Sequence, residues 1–253
     1  MIAMTEFTFY GDLLGLSSLY KLNPESAYKK LNDFYNTIFY PNEDWERENE
    51  VQTLMFSDSL IIYGKADIDG TLKQLLNIYV ELLNKGILLR GAIVEGKLSF
   101  DPRISRDNFK KMLPNDNVLA RAAGLEGTQK GARLLIENAL ARKLLRNERD
   151  WFTHEGYIAN VHGDTFVQHD SILRRVCPTP DQSSYELLYY WSCNNGENQE
   201  PIDYQKKCNE LKEIKQMVDK NVAVHYKETI ALLMRCKRRN IFTNKNMGLS
   251  GMI

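Results

Sequence analysis

The stretch that decides the fold is Phe7-Thr8-Phe9-Tyr10-Gly11-Asp12-Leu13-Leu14-Gly15-Leu16-Ser17. Its aromatic and apolar first half is typical of a buried strand. That strand carries one carboxylate, Asp12, to its end, after which the chain turns through Gly15. A carboxylate inside an apolar environment is costly unless it is paired or holds a cation. An isolated Asp at a strand end can also be a turn or helix-capping residue, so both interpretations stay open for Asp12.

A second apolar run, from Thr53 to Gly64, contains another lone carboxylate, Asp58. Its apolar neighbours on both sides predict a strand interrupted by one acid. Two such acids on neighbouring strands favour a site for a hard cation. The reason is that Mg²⁺ is usually held by one or two carboxylates together with substrate phosphates.

The chain between and after these runs alternates between helix and strand patterns. Asn23-Pro24 is typical of a helix start, Pro41 is predicted to end that helix, and a loop is expected up to Glu50. Further predicted elements are a helix over Asp69–Gly86, a strand over Ile87–Val94, a short strand over Lys97–Phe100, a helix over Asn117–Leu125, a strand over Ala132–Ile136 and a helix over Asn138–Asn147. This alternation predicts an α/β (α+β) fold with helices on one face of a sheet.

We expect residues 1–150 to form the domain that carries the site. Residues 151–253 are predicted to add an edge strand over Tyr157–Val161 and a helical region from Ser183, packed on the same domain. Within that region Tyr185–Trp191 and Tyr204–Arg239 have helical patterns, and the tail from Thr243 is expected to fray.

Composition excludes several classes of function. The 33 basic and 33 acidic residues cancel, so we expect no broad basic surface and no nucleic-acid partner. The four cysteines have no metal-type spacing and are interpreted as free thiols of a reducing compartment. No apolar run approaches a membrane span, and the first strand pattern begins too early to follow a signal peptide. We therefore expect a cytoplasmic protein without a membrane partner.

The order of the two acids and one arginine resembles that in class III nucleotidyl cyclases. The family's first strand ends in Asp-hydrophobic-x-Gly-hydrophobic-Ser/Thr, which is matched by Asp12–Ser17. Its second metal aspartate is matched by Ser57-Asp58, 46 positions after Asp12, and its Arg-x-Gly strand by Arg90–Gly96. The resemblance spans Phe7 to Ile136 and implies a ferredoxin-like sheet.

The resemblance also implies roles for individual residues. Asp12 and Asp58, helped by the Leu13 carbonyl, would hold two Mg²⁺ or Mn²⁺ ions, and Arg90 would meet the terminal phosphates of a nucleoside triphosphate. The remaining implied contacts are backbone N–H groups of Leu14, Gly15, Leu16 and Ser17 on the triphosphate. Lys97 is a candidate second phosphate cation only because it is close to Arg90 in sequence. Arg90 could instead form a buried salt bridge with one of the acids.

The departures from the family pattern concern the base and the transition state. In the helix that carries the family's Asn and Arg, this sequence has Ala120 and Gly124, and Arg121 is the only cation. Arg121 is thus either a catalytic substitute or a surface cation. Leu54 stands where adenylyl enzymes read the purine with Lys, and the purine-reading Asp falls near Leu113. Leu54 and Phe56 are therefore predicted to contact the base without reading a purine.

An intact metal half without the purine-reading half resembles the pyrimidine cyclases of the bacterial Pycsar antiphage system. This resemblance implies synthesis of cyclic UMP, or else cyclic CMP, by a homodimer with two sites at its interface. It also implies a separate effector protein that reads the product. One alternative is a cyclase-like regulatory module that binds nucleotide without turnover. A diguanylate cyclase or polymerase-palm relative ranks last, because no Gly-Gly-Asp/Glu-Glu-Phe signature is present.

Overall fold

A computed structural model describes residues 4–48, 50–101, 114–141, 173–176, 184–187 and 202–249. Its elements are β1 (Met4–Leu13), α1 (Leu16–Leu22), α2 (Pro24–Glu48), β2 (Glu50–Phe56), β3 (Ser59–Asp67), α3 (Ile68–Asn84), β4 (Leu89–Glu95), α4 (Val118–Gly127), β5 (Leu134–Glu137), β6 (Leu173–Val176), β7 (Ser184–Leu187), α5 (Tyr204–Met217) and α6 (Lys220–Leu249). Residues 138–141 are also helical. None of the helices described here combines the length and hydropathy that crossing a membrane requires.

The described strands form one sheet in the order β2-β3-β1-β4-β5-β7-β6. Every neighbouring pair among the first four strands is antiparallel, whereas β5 pairs with β4 in parallel. The antiparallel pairs make β1 and β2 parallel with β3 between them. The same relation holds for β3 and β4 with β1 between them. The strands thus form two interlocked split βαβ units, which is the ferredoxin-like arrangement. The predicted ferredoxin-like α/β fold is confirmed.

Side chains alternate between the two faces of β1, as they do in any strand. Phe7 and Phe9 are fully buried in the main core, which also holds the apolar faces of α2 and α3. Tyr10, on the opposite face, packs in a separate cluster against α4. The prediction of helices on one face therefore describes α2 and α3, whereas α4 lies on the other face, the one to which Asp12 also belongs.

Tertiary contacts override several local patterns. The helix from Pro24 continues past Pro41 to Glu48, where a loop was predicted, and Trp45 in its last part lies with its ring centroid 6.4 Å from that of Phe7. Ser184–Leu187 is strand β7, paired with β5 and β6, although a helix was predicted from Tyr185. Such pairing with distant strands is invisible to a local periodicity.

Other boundaries differ less. Of the predicted strand over Lys97–Phe100, only an isolated bridge between Phe100 and Pro114 is present. Helix α6 extends to Leu249, through part of the tail that was expected to fray. The predicted edge strand over Tyr157–Val161 lies outside the described residues.

The C-terminal helices pack on the same core as the sheet. Cys208 and Leu211 of α5, and Leu232 of α6, are buried in it. The Asp203 carboxylate accepts a hydrogen bond of 2.9 Å from the Lys206 N–H and caps α5. Cys208 and Cys236 are buried and form no disulfide among the described residues, while Cys177 and Cys193 fall outside the described residues.

Gly64→Ala tests the packing of β2 against β3. A Cβ at Gly64 would lie 2.1 Å from the Glu50 carbonyl oxygen and 2.7 Å from the Val51 Cα. Because these are backbone atoms, β2 would have to move, and we expect a loss of at least about 1–3 kcal/mol in the free energy of unfolding.

Gly124→Ala is the control. Its Cβ meets nothing within 4 Å on a helix, and the change should add about 0.5–1 kcal/mol. Urea denaturation measures both, and a Gly64→Ala protein as stable as the wild type would contradict this β2–β3 register.

Candidate functional site

The strand register brings several of the predicted site residues into one row. Asp12 at the end of β1 lies opposite Ser59 of β3 on one side and Arg90 of β4 on the other. Phe56 of β2 lies opposite Ser59. Paired residues point to the same face of a sheet, so this row runs across four strands on the face away from the main core.

The neighbouring row is apolar. Leu54 of β2 lies opposite Ile61 of β3, which in turn lies opposite Tyr10 of β1. All three side chains are half-buried, and Phe56 in the first row is 83% exposed. An acidic end and an apolar patch thus lie side by side on an open part of the sheet.

Asp58 occupies the turn of a β-hairpin. A single interrupted strand was predicted; instead β2 and β3 are separate strands joined by Ser57-Asp58, with Ser57 at a φ of 55°. The Leu13 N–H donates a 3.0 Å hydrogen bond to the Asp58 carbonyl oxygen. This bond ties the hairpin turn to the end of β1, so the two acids lie at the same edge of the sheet.

The charge state of Asp12 reflects this proximity. Burial raises the pKa of Asp12, the negative charge of Asp58 raises it further, and Arg90 together with a 3.4 Å hydrogen bond from Ser59 lowers it. A divalent cation between the carboxylates would relieve their repulsion. No group of three or more His, Cys, Asp and Glu side chains that could hold a metal occurs within the described ranges. Two carboxylates, with further oxygens from the backbone and a substrate, fit Mg²⁺ or Mn²⁺.

Arg90 has a partner that the sequence analysis missed. Its Nε donates to the carboxylate of Glu126 on α4, and the side chains are only 16% and 6% exposed, respectively. The alternative prediction for Arg90 was a buried salt bridge with Asp12 or Asp58, whereas the observed partner is Glu126. One signal in the sequence could have indicated Glu126 as a partner. Val118, Ala122 and Glu126 are spaced four apart and so share the buried face of the helix, where a lone acid needs a partner.

Arg121 is held within its own chain. Its Nη2 donates to both carboxylate oxygens of Glu137, at 2.6 and 2.7 Å, and to the Glu95 carbonyl oxygen at 3.2 Å. The Glu137 carboxylate also accepts a hydrogen bond from the Glu95 N–H. Arg121 is partly exposed. In a single chain this arrangement favours the alternative of a surface cation.

The turn after Asp12 begins a short helix. Gly15 has a φ of +81°, which glycine adopts readily, and its carbonyl oxygen accepts a 3.0 Å hydrogen bond from the Leu19 N–H. The Leu14 N–H is taken by the Leu88 carbonyl oxygen at 2.8 Å. This bond occupies one of the N–H groups predicted to contact a triphosphate. The N–H groups of Leu16 and Ser17 belong to the first turn of α1, where N–H groups have no intrahelical partners.

Lys97 does not lie with these residues. Strand β4 starts beside Asp12 and runs away from it, and Lys97 follows Gly96, whose N–H donates to the Glu6 carbonyl oxygen near the other end of β1. At about 3.3 Å per residue, this places Lys97 roughly 20 Å from Arg90. The structure does not support Lys97 as a second phosphate cation. Leu113 lies outside the described residues.

Helix α6 contacts two backbone segments that adjoin the site. The Gly131 N–H donates to His225 Nδ1 at 3.4 Å, and the Ala132 N–H donates to Thr229 Oγ1 at 2.9 Å. On the same helix Tyr226 lies behind the first turn, because a Cβ at Gly15 would be 3.4 Å from its hydroxyl oxygen. One helix therefore contacts both the turn after β1 and the segment before β5.

The titration of His225 should make the stability pH-dependent. Burial, followed by the positive charges of Arg90 and Lys130, lowers the pKa of His225 from 6.5 to about 4. As the pH falls, His225 is protonated in the unfolded chain before it is protonated in the folded chain. The free energy of unfolding therefore keeps its full value above pH 6.5 and decreases as the pH drops toward 4. Since His225 is only half-buried, we expect a slope below about 1.4 kcal/mol per pH unit. Urea denaturation between pH 7.5 and 4.5 should show this slope in the wild type and a flatter one in His225→Gln. Equal slopes would exclude His225 as the cause.

Comparison with known proteins gives distant structural likenesses only. No family model matches this sequence, and no curated protein matches it. The guanylyl cyclase Cya2 is 13% identical, with a TM-score of 0.48, over 79% of this chain and 98% of its own. The adenylyl cyclase CyaB from P. aeruginosa is 11% identical over the same shares, also at 0.48. The guanylate cyclase domain of RhGC from Catenaria anguillulae, in complex with GTP, is 12% identical over 73% and 97%, at 0.45. At these values, the likeness carries no statement about what this chain does.

Proposed function

We propose that this chain is a nucleotidyl cyclase that converts a pyrimidine nucleoside triphosphate, UTP first and CTP next, into the 3′,5′-cyclic monophosphate and pyrophosphate. The observation that carries the proposal is the meeting of Asp12 and Asp58 at one edge of the sheet, tied by the Leu13–Asp58 hydrogen bond. Two nearby carboxylates, one of them directly before a turn that begins a helix, suit a metal–triphosphate complex.

In this mechanism the ribose 3′-hydroxyl gives its proton to solvent water and its oxygen attacks the α-phosphorus. The bond from the α-phosphorus to the bridging oxygen breaks, and pyrophosphate leaves with the electron pair. Two bound Mg²⁺ or Mn²⁺ ions would lower the pKa of the 3′-hydroxyl and neutralise the leaving group. Asp12, Asp58 and the Leu13 carbonyl would hold them. Arg90, next to Asp12 in the same row, would face the terminal phosphates.

The base would lie over the apolar row of the sheet. Leu54 and Ile61 offer no hydrogen-bond partner to a purine edge, and Phe56 offers an exposed ring beside them. Apolar side chains at these positions cannot reward a purine edge with hydrogen bonds, so we expect a preference for pyrimidines.

We also propose a homodimer and a defence role. Phe56 at 83% exposure and the half-buried Leu54 leave this face open for a second copy of the chain. A two-fold axis over it would build two sites, each with acids from one protomer and Arg121 from its partner. For that role Arg121 would have to exchange Glu137 for substrate. The cyclic product would be a second messenger in antiphage defence, read by a separate effector protein.

Incubation with each nucleoside triphosphate and Mn²⁺, followed by analysis for cyclic nucleotide and pyrophosphate, tests the proposal. Cyclic UMP should form with the highest kcat/KM, followed by cyclic CMP. If ATP or GTP were cyclised best, the pyrimidine preference would be wrong.

A second candidate function is a regulatory module that binds nucleotide without turnover. The engagement of Arg90 by Glu126 and of Arg121 by Glu137 favours it, because both candidate phosphate cations already have carboxylate partners. In that case the same experiment would give no product, while a nucleotide would still raise the melting temperature.

A further inference from the structure

A cavity lies behind the turn that follows β1, on the side away from the two acids. It has a volume of about 200 Å³ and is bounded by α1, by the Gly86–Leu88 segment and by both C-terminal helices. Leu16, Leu19, Val218 and Val222 give it mainly apolar walls. Gly15 itself is part of the wall, so the cavity and the turn share one layer of backbone.

One wall of this cavity carries a cation that lacks a counter-ion. Lys30 of α2 is half-buried there, and burial lowers the pKa of its ammonium. Its Nζ donates a 3.2 Å hydrogen bond to the Gly86 carbonyl oxygen, which uses one of three donors. Within the described part of the chain, no carboxylate pairs with Lys30. A partly desolvated ammonium without an anion is unfavourable.

The lining of the cavity includes a second donor, Tyr226. The Tyr226 side chain is 8% exposed and lines the cavity, and burial raises the pKa of its hydroxyl. Among the residues that the structure describes, its hydroxyl makes no hydrogen bond. The hydroxyl is therefore available as a donor to a ligand in the cavity.

We infer that this cavity binds a small amphipathic anion, a short aliphatic monocarboxylate whose carboxylate is held by Lys30 and Tyr226. An apolar cavity of about 150 Å³ holds a benzene-sized ligand, so this one suits a molecule of about eight non-hydrogen atoms, the size of hexanoate. The aliphatic tail would lie against the leucine and valine side chains. Carboxylate oxygens would supply the acceptors that the ammonium and the hydroxyl lack.

Such a ligand would couple to the turn through shared backbone. The cavity wall formed by Gly15 and Leu16 is also the start of α1, so an occupied cavity would hold the turn in one position. This consequence for catalysis rests on the proposed function, whereas binding of the anion itself does not.

The test is an NMR titration of the full chain, labelled at its Ile, Leu and Val methyl groups, with hexanoate and with 1-hexanol. Hexanoate should give saturable shifts at the methyl groups of Leu16 and Val222. Lys30→Met should raise its Kd about 10- to 100-fold, since a charged hydrogen bond is lost, and Tyr226→Phe by about threefold or more. Lys21→Met, which removes an exposed lysine of α1, should leave the Kd unchanged. 1-Hexanol should bind more weakly than hexanoate and with no dependence on Lys30.

Three results would overturn the inference: no saturable shift at the cavity methyl groups, equal hexanoate affinity in the wild type and Lys30→Met, or 1-hexanol binding as tightly as hexanoate. Lys30→Gln serves the same comparison if Lys30→Met does not fold. Because the readout is binding, a chain that cyclises no nucleotide but binds hexanoate would refute only the proposed function.

Discussion

Asp58→Asn is expected to abolish nucleotide turnover while leaving the fold intact. The Asp58 carboxylate is one of only two acids proposed to hold the metal ions, and an amide cannot replace its charge. The hairpin turn depends on backbone bonds, among them the one from the Leu13 N–H to the carbonyl oxygen of residue 58, and Asn keeps that oxygen. Product analysis with UTP and Mn²⁺ measures the loss, and retained activity would exclude the metal assignment.

The same variant should be no less stable than the wild type when no metal is present. The charge of Asp58 contributes to raising the pKa of Asp12, which means that the two carboxylates repel each other in the folded state. Removing one charge relieves that repulsion. We therefore expect an equal or higher melting temperature for Asp58→Asn in the presence of EDTA.

Mn²⁺ together with nucleotide should reverse this order of stability. The wild type should gain about 2.7 kcal/mol at a ligand concentration of 100 times Kd, whereas Asp58→Asn should gain nothing. Asp33→Asn is a matched control, since Asp33 is a half-buried aspartate of α2, the helix on the opposite face of the sheet. It should keep both the turnover and the stabilisation. An Asp58→Asn protein that gains as much as the wild type would place the metal elsewhere.

Local signals predicted the elements that carry the acids. The predicted cap at Asn23 is present, because its side chain accepts a 3.0 Å hydrogen bond from the Ser26 N–H. Strand β1 ends at Leu13, directly after Asp12, as its apolar pattern indicated. The helix predicted from Asp69 begins at Ile68. These features depend on residues that are close in sequence, so the sequence alone was sufficient.

Contacts between distant residues could not be predicted in this way. Arg90 and Glu126 are 36 positions apart, and Thr229 and Ala132 are 97 apart; no local pattern links either pair. For Lys97, closeness in sequence was taken for closeness in space. Lys97 is seven positions after Arg90, and an extended chain of that length places it far from Arg90. The strand end at Asp12 was thus predictable, whereas the hairpin turn at Asp58 and the carboxylate partners of Arg90 and Arg121 were not.

Arg90→Met should destabilise the chain strongly, independently of any catalytic role. It would leave the Glu126 carboxylate, whose residue is 4% exposed, without its partner. Removing one member of a buried ion pair costs about 3–5 kcal/mol. A loss of activity in this single variant would therefore be ambiguous between an unstable fold and a missing phosphate contact.

Arg90→Met combined with Glu126→Leu separates these two causes. Replacing both members of a buried pair by apolar residues is often neutral or stabilising, so the double variant should unfold at nearly the wild-type urea concentration. If Arg90 meets the terminal phosphates, kcat/KM should still be lower by about 100-fold or more, the usual effect of removing a group that stabilises developing charge. Glu126→Leu alone also breaks the pair and should be less stable, but it keeps Arg90, so under conditions in which it is folded it should keep most of its kcat/KM. A stable double variant with wild-type kcat/KM would show that Arg90 serves only to hold α4 against β4.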